Sequence, residues 1–321
     1  MNKYIVSVDL GGTKILAALV KTTGEIVDRF KIATEAEKGK NPLIKKLADA
    51  VKTVIQNNNL EETDIKAVCI GVPGSVDPYL GKIGTAPNLN IKNMDLKGAL
   101  SQHLNIPVFI ENDVNLAALG IQKFELQDGH KNILVVFVGT GIGGAFIFND
   151  KIYRGSSNFA GEIGHMTVVE NGPLCGCGKK GCFEAVAGRL ALVREIKKDL
   201  KTAKKSILKE HVNNKKQIKS KAIALGVKQK DPIVIKHVDI ACSYIGMSLA
   251  NITNLLNIDL VVLGGGVIEA LEKYMVPKIK ESFKEHVLKD ASKAVRICAT
   301  KLGDDAALYG GIALAEEFNA L

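Results

Sequence analysis

Apolar and β-branched residues crowd the first twenty positions, and glycine breaks the run once. "YIVSVDL", "GGTK" and "ILAALV" predict strand, turn and strand. "GEIVDRFKI" predicts a third strand. Over residues 41–58 the period changes, and Leu43, Leu47, Val51, Val54 and Ile55 fall at helical spacing. "IKAVCIGVPG" predicts a buried strand that runs into a loop. "PVFIENDVNLAALGIQKF" predicts a strand, a polar corner and a helix.

The opening pattern then returns. Residues 132–155, "NILVVFVGTGIGGAFIFNDKIYRG", predict strand, glycine turn and strand again. A spacing of roughly 130 residues is too long for a solenoid repeat, and fits a chain of two related halves. "DPIVIKHVDIACSYIGMSLANITNLLN" predicts a long helix, "IDLVVLGGGV" a strand and glycine loop, and "IEALEKYMVPKIKESFKE" a further helix. "DDAALYGGIALAEEF" predicts a final helix, with Asp304 or Asp305 placed to cap it. No low-complexity linker separates the halves, so ordinary elements form the hinge.

Composition narrows the class. Hydrophobic residues make up 46% and charged residues 24%, the profile of a soluble globular protein. No run approaches the ~18 apolar residues of a membrane helix. The N-terminus reaches Asp9 after a very short apolar run, which predicts no signal peptide and a cytoplasmic location. The net charge of +9 is local. Between Lys201 and Lys236 lie 11 lysines against Glu210 and Asp231, and the remainder is neutral. That segment has no arginine and no aromatic residue, so it predicts a solvated face rather than a nucleic-acid surface.

Three glycine loops carry candidate chemistry. "GTGIGG" matches the dinucleotide spacing at Gly139, Gly141 and Gly144, but a second strand follows it where that motif needs a helix. No P-loop motif is present. A glycine-tipped hairpin can still hold phosphate, because its consecutive N–H groups form an anion nest. Thr13 and Thr140 are placed to add hydroxyl donors. Asp9 stands at a strand end, where it would suit a magnesium ion on a polyphosphate through water. The loop at Gly264, Gly265 and Gly266 can support an adenine ring and ribose.

"GEIGHMTVVENGPLCGCGKKGCFE" holds half of the six cysteines. A disulfide, a redox centre, a metal site and chance all come into question. The spacing C-x-C-x4-C, with His165 before it, supplies three thiolates and an imidazole, a closed tetrahedral zinc set. A redox pair usually reads C-x-x-C, which is absent. A catalytic zinc needs an open position, and His165, Cys175, Cys177 and Cys182 leave none. Cys69, Cys242 and Cys298 lie in apolar segments and read as core.

"DLGGTK", "FVGTGIGG", "GEIGH", "CGCGKKGCFE" and "VVLGGGV" occur in an order that resembles the ROK family of sugar kinases and repressors, most of all its bacterial glucokinases. The resemblance covers essentially the whole chain. It implies an α/β, two-domain actin-like ATPase (ribonuclease H-like) fold, with a mixed β-sheet in each domain and ATP and sugar in an interdomain cleft. The boundaries expected are 1–112 plus 304–321 for a small domain. A large domain would take 113–303 and carry the zinc-binding loop 165–182. By resemblance, Asp9, Gly11, Gly12, Thr13 and Lys14, then Gly139, Thr140, Gly141 and Gly143, are the two phosphate segments. Gly264, Gly265 and Gly266 are the adenosine segment.

Phosphoryl transfer needs alignment, charge neutralisation and a group to take the hydroxyl proton. Asp113 stands where a helix N-cap is common, and by resemblance it is the catalytic base. Carboxylates and amides read sugar hydroxyls best. The matching candidates are Asn88, Asn112, Asp113, Glu162, His165 and Glu184, and His165 could serve zinc through one ring nitrogen and sugar through the other. ROK glucokinases often carry an acid after the glycine of this helix, where this chain has Ile121.

The resemblance therefore implies an ATP-dependent kinase for the 6-hydroxyl of glucose, with magnesium and structural zinc, in a homodimer or tetramer. The alternatives are a kinase for N-acetylmannosamine or fructose, and a non-catalytic sugar sensor. ROK repressors carry a helix-turn-helix domain before the kinase-like region, and only eight residues precede Asp9 here, which speaks for the enzyme.

Overall fold

The computed structural model describes residues 4–126, 129–202, 205–209 and 217–321. Parts of the lysine-rich segment, 203–204 and 210–216, lie outside them. By packing, the chain forms two compact units. One comprises the chain up to Gly129 with Asp150–Ala160 and Asp304–Leu321, the other His130–Asn149 and Gly161–Gly303.

In the first unit, β1 (Tyr4–Leu10) and β2 (Lys14–Lys21) form the predicted antiparallel hairpin, with Asp9 opposite Leu16 and Leu10 opposite Ile15. β3 (Ile26–Ala33) pairs with β2, and its alternate positions are exposed, as suits an edge strand with one wet face. β4 (Ile65–Val72) lies parallel to β1, and β8 (Val108–Asn112) parallel to β4. The sheet order is β3-β2-β1-β4-β8.

Helix α1 (Lys40–Gln56) buries Leu43, Leu47, Val51, Val54 and Ile55, the five positions that the spacing selected. α3 (Asp113–Phe124) packs on α10 (Ala306–Glu317), which also lies on β1 and β4. Gly120 and Gly310 stand at that crossing, where a β-carbon on Gly310 would overlap the carbonyl of Leu116. This contact joins residues 113–124 to the first unit, whereas the sequence placed them in the second. A small antiparallel sheet of β5 (Val76–Asp77), β6 (Lys82–Ala86) and β7 (Ile91–Asp95), followed by α2 (Leu96–Leu100), completes the unit.

The second sheet repeats the plan. β9 (Asn132–Val138) and β10 (Ile142–Phe148) form the second glycine-tipped hairpin. β12 (Leu260–Gly264) runs parallel to β9, and β13 (Arg296–Ala299) parallel to β12. With β11 (Lys151–Tyr153) the order is β11-β10-β9-β12-β13, strand for strand the connectivity of the first sheet. The two related halves are thus a feature of the topology.

Helices α4 (Phe183–Ala187), α5 (Arg189–Leu200), α6 (Ser220–Lys228), α7 (Pro232–Leu256), α8 (Gly266–His286) and α9 (Lys289–Ala294) belong to the second unit. Asp231 caps α7 by accepting from the N–H groups of Ile233 and Val234, and Pro232 stands where no donor is needed. Among the described residues, α7 alone is long and apolar enough to cross a membrane by composition, although polar residues interrupt its apolar run. Its Val234, Val238, Ala241, Ile245 and Leu249 sit in the core of this unit. Described lysines Lys219, Lys221, Lys228 and Lys230 are exposed, as a solvated face requires.

Candidate functional site

The first glycine turn is tied down by its own backbone. Gly11 N–H donates to Lys14 O at 2.9 Å, Thr34 Oγ1 donates to Gly11 O at 2.6 Å, and Thr34 N–H donates to Thr13 O at 3.0 Å. The carbonyls of Gly11 and Thr13 are therefore engaged on the Thr34 side. Asn88, in the short turn Pro87–Leu89, approaches this loop, since a β-carbon on Gly12 would lie 3.0 Å from its carbonyl oxygen. Lys14 Nζ meets Asp304 Oδ2 at 3.0 Å, and Arg29 meets Asp305 Oδ2 at 2.7 Å. Those ion pairs correct the predicted cap. Asp305 occupies the N-cap position of α10, but its side chain bonds no helix N–H.

Asp9, the last residue but one of β1, is half-buried beside Asp113. Burial first, then the negative charges of Asp113 and Asp304, push its carboxyl up to about 6 against the pull of Lys14. Asp113 is the first residue of α3 and accepts from Val114 N–H at 3.0 Å. The cap itself is Asn112, not Asp113. Asn112 Oδ1 accepts from Val114 and Asn115 N–H at 2.9 and 3.1 Å, and Nδ2 donates to Gly74 O at 3.1 Å. Asn112 thus spends most of its hydrogen-bonding capacity in fixing the corner.

Behind that corner lies an ion cluster that the sequence did not reveal. Glu111 is 1% exposed and Arg154 8%. Arg154 Nε donates to Glu111 Oε2 at 2.7 Å, and its two terminal nitrogens clamp Glu317 at 2.6 and 2.9 Å. Glu111 Oε1 accepts from Asn115 Nδ2 at 3.0 Å and from Asn112 N–H at 2.8 Å. The partners of Arg154 are 43 and 163 residues away in sequence, so no local pattern could signal them.

The second unit carries the other loops. Gly139 N–H donates to Gly141 O at 3.0 Å and closes the hairpin tip, while Gly143 is a strand residue opposite Phe137. Gly264 ends β12, Gly265 has φ 87°, and Gly266 starts α8. A β-carbon on Gly265 would also crowd the Val138 carbonyl at 2.8 Å, so this bend excludes other residues. Arg189 Nη2 donates to Thr140 Oγ1 at 2.9 Å, a contact the sequence did not single out.

The ligand atoms of His165, Cys175, Cys177 and Cys182 all lie within 4.8 Å of one another. Zinc–sulfur bonds of about 2.3 Å at tetrahedral angles would separate two sulfurs by roughly 3.8 Å. Cys177 Sγ and Cys182 Sγ are 3.6 Å apart, and Cys175 Sγ is 3.7 Å from His165 Nδ1. Two of the pairs are thus at the spacing a tetrahedral ion needs, and the four donors are close enough to converge on one metal ion. All six cysteines are free thiols. Cys69 and Cys242 are core residues as expected, but Cys298 is only half-buried at its edge position on β13.

His165 faces two ways. Nδ1 points to Cys175, and Nε2 is 3.8 Å from Glu162 Oε2. Burial raises the Glu162 pKa against the opposing charge of His165, and Glu184 raises it further. Glu184 touches both features of the unit. Its Oε1 accepts from Cys175 Sγ at 3.0 Å, and its other oxygen lies against the open side of Gly141.

The ROK family model matches residues 5–318. This chain belongs to the ROK family. A glucokinase of Halalkalibacterium halodurans is 33% identical over 97% of this chain and 94% of its own length. The xylose repressor of Bacillus subtilis is 31% identical over 96% of this chain and 75% of its own length. The ROK glucokinase of Streptomyces griseus, solved with glucose and AMPPNP, superposes with a TM-score of 0.86 at 31% identity, over 98% of this chain and 99% of that one. The two mixed sheets of this ROK protein are thus the family's two-domain, actin-like fold. Ile121 is fully buried in α3, roughly 12 Å along the helix from Asp113 at 1.5 Å per residue.

Proposed function

We propose that this ROK protein is an ATP-dependent hexose 6-kinase that prefers glucose and forms glucose 6-phosphate and ADP. The observation that carries this reading is the acid pair of the first unit. Asp113 stands at a helix start, with Asp9 beside it at the end of the hairpin strand that leads into "GGTK". Asp113 accepts the proton of the sugar hydroxyl as the bond to phosphorus forms, because a carboxylate is too weak to remove it earlier. Asn88 and Asn112 of the first unit, and Glu162, His165 and Glu184 of the second, exchange hydrogen bonds with the other hydroxyls.

Asp9 would hold magnesium, through water, on the ATP phosphates, and the ion would supply positive charge as the transferred group moves. Its fit is chemical, since a carboxyl pushed up to about 6 by burial first and by a neighbouring carboxylate second gains from a cation. Gly11, Gly12, Thr13 and Lys14 bind phosphate in one unit, and Gly139, Thr140, Gly141 and Gly143 in the other. Gly264, Gly265 and Gly266 receive the adenosine. Zinc on His165, Cys175, Cys177 and Cys182 is structural and fixes the segment between Glu162 and Glu184. The chain works in the cytoplasm as a homodimer or tetramer, and its partners are ATP and a small sugar rather than nucleic acid or membrane.

The similarity to xylose repressors favours a second reading, a sugar-responsive regulator without turnover. ADP release across a panel of glucose, fructose, mannose, xylose and N-acetylmannosamine separates the two. Turnover fastest on glucose supports the proposal, and turnover fastest on another hexose moves it to that sugar. Sugar binding with no ADP release on any of them supports the regulator.

A further inference from the structure

We infer that Arg189 is a phosphate-recognising residue that makes the second glycine loop select a polyphosphate nucleotide over the nucleoside. This rests on the kinase reading above. The start of α5 is built onto the loop. Arg189 N–H donates to Gly139 O and Leu190 N–H to Thr140 O, both at 3.1 Å. The two loop carbonyls, whose negative ends would repel an anion, are therefore engaged by α5. Nothing lies within 4 Å of a β-carbon placed on Gly139, so the tip has open space beside it.

The Arg189 side chain adds charge at the same place. Its guanidinium has five N–H donors, and Thr140 Oγ1 takes one at 2.9 Å. A hydroxyl that accepts from a guanidinium has its own proton left to donate, which suits a phosphate oxygen. The remaining N–H groups of Arg189 can fork onto a second phosphate oxygen. Among the described residues the side-chain partner of Arg189 is the Thr140 hydroxyl, which leaves its charge unneutralised by a carboxylate. Glu184, in contrast, lies against Gly141 and sets a negative charge beside the loop. A triphosphate approaching that carboxylate needs a cation at the loop, and Arg189 is the one bonded to it.

Calorimetric titration of the full chain with adenosine, ADP and ATP tests this. Arg189→Gln keeps an amide donor near Thr140 but removes the charge, and Arg189→Lys keeps the charge but loses the fork. We expect Arg189→Gln to weaken ATP binding by about 10-fold or more, ADP by less and adenosine hardly at all. Arg189→Lys should recover part of the loss. Unchanged ATP affinity in Arg189→Gln, or an equal loss for adenosine and ATP, overturns the inference and leaves the kinase reading standing. Failure of the unaltered chain to bind ATP while it binds glucose overturns both.

Discussion

Arg154 and Glu111 form a 2.7 Å ion pair directly behind the corner that carries Asp113. Glu111 fixes Asn112 and Asn115 through its other oxygen, so the pair anchors the start of α3 from below. Arg154→Ala would leave Glu111 buried and uncompensated, and Glu317 without its clamp. Breaking a buried pair in this way costs about 3–5 kcal/mol. Urea unfolding should show that loss. Glu317→Gln, at the half-exposed end of the cluster, should cost well under half as much. Equal losses would mean that the pair with Glu111 has no special weight.

Asp113→Asn keeps the size of the side chain and removes the carboxylate proposed as the proton acceptor. Turnover should fall by about 10²–10⁴ with sugar affinity largely kept. Single-turnover kinetics and sugar titration on the same preparation check both parts. Near-normal turnover would remove Asp113 from the role of base.

Asp9 sets a pH dependence with a definite sign. Its carboxyl titrates near 6 in the folded chain against 3.8 ordinarily, so between these values the folded state holds the extra proton. Ionised Asp9 therefore costs stability. The cost is absent below about pH 4, grows as pH rises to 6, and is complete above. Asp9→Asn should raise the urea midpoint at pH 7–8 by an amount worth up to about 2–3 kcal/mol, with the two proteins converging near pH 4. Magnesium should narrow the gap at pH 7 if Asp9 holds it. A gap that is constant from pH 4 to 8 would refute the assignment.

Cys177→Ser removes one of four metal ligands. The purified variant should contain less zinc by atomic absorption, and it should bind glucose more weakly, because Glu162 and Glu184 flank the ligand segment. A zinc-free variant with unchanged glucose affinity would separate metal from sugar recognition.

The hairpins, the long helices and the cysteine–histidine set were legible because each is written in local spacing. Period-two and period-3.6 burial, glycine at a turn and C-x-C-x4-C with a nearby histidine act over a few residues. Residues 76–95 are not legible in the same way, because strands of two to five residues carry little periodicity. The helix start at Asp113 is legible but its cap is not, since Asn112 and Asp113 are equally good caps by type and only the backbone decides for Asn112.

What the sequence determined by itself was therefore the repeated half, the family and the cysteine–histidine set. Tertiary structure alone decided which unit holds α3, because the tight crossing at Gly120 and Gly310 depends on two helices about 190 residues apart. It alone joined Glu111 to Arg154 and Glu317, and it alone turned Asp304 and Asp305 from caps into partners of Lys14 and Arg29. A charge chooses its partner by distance in space, and the chain's local pattern does not record that distance.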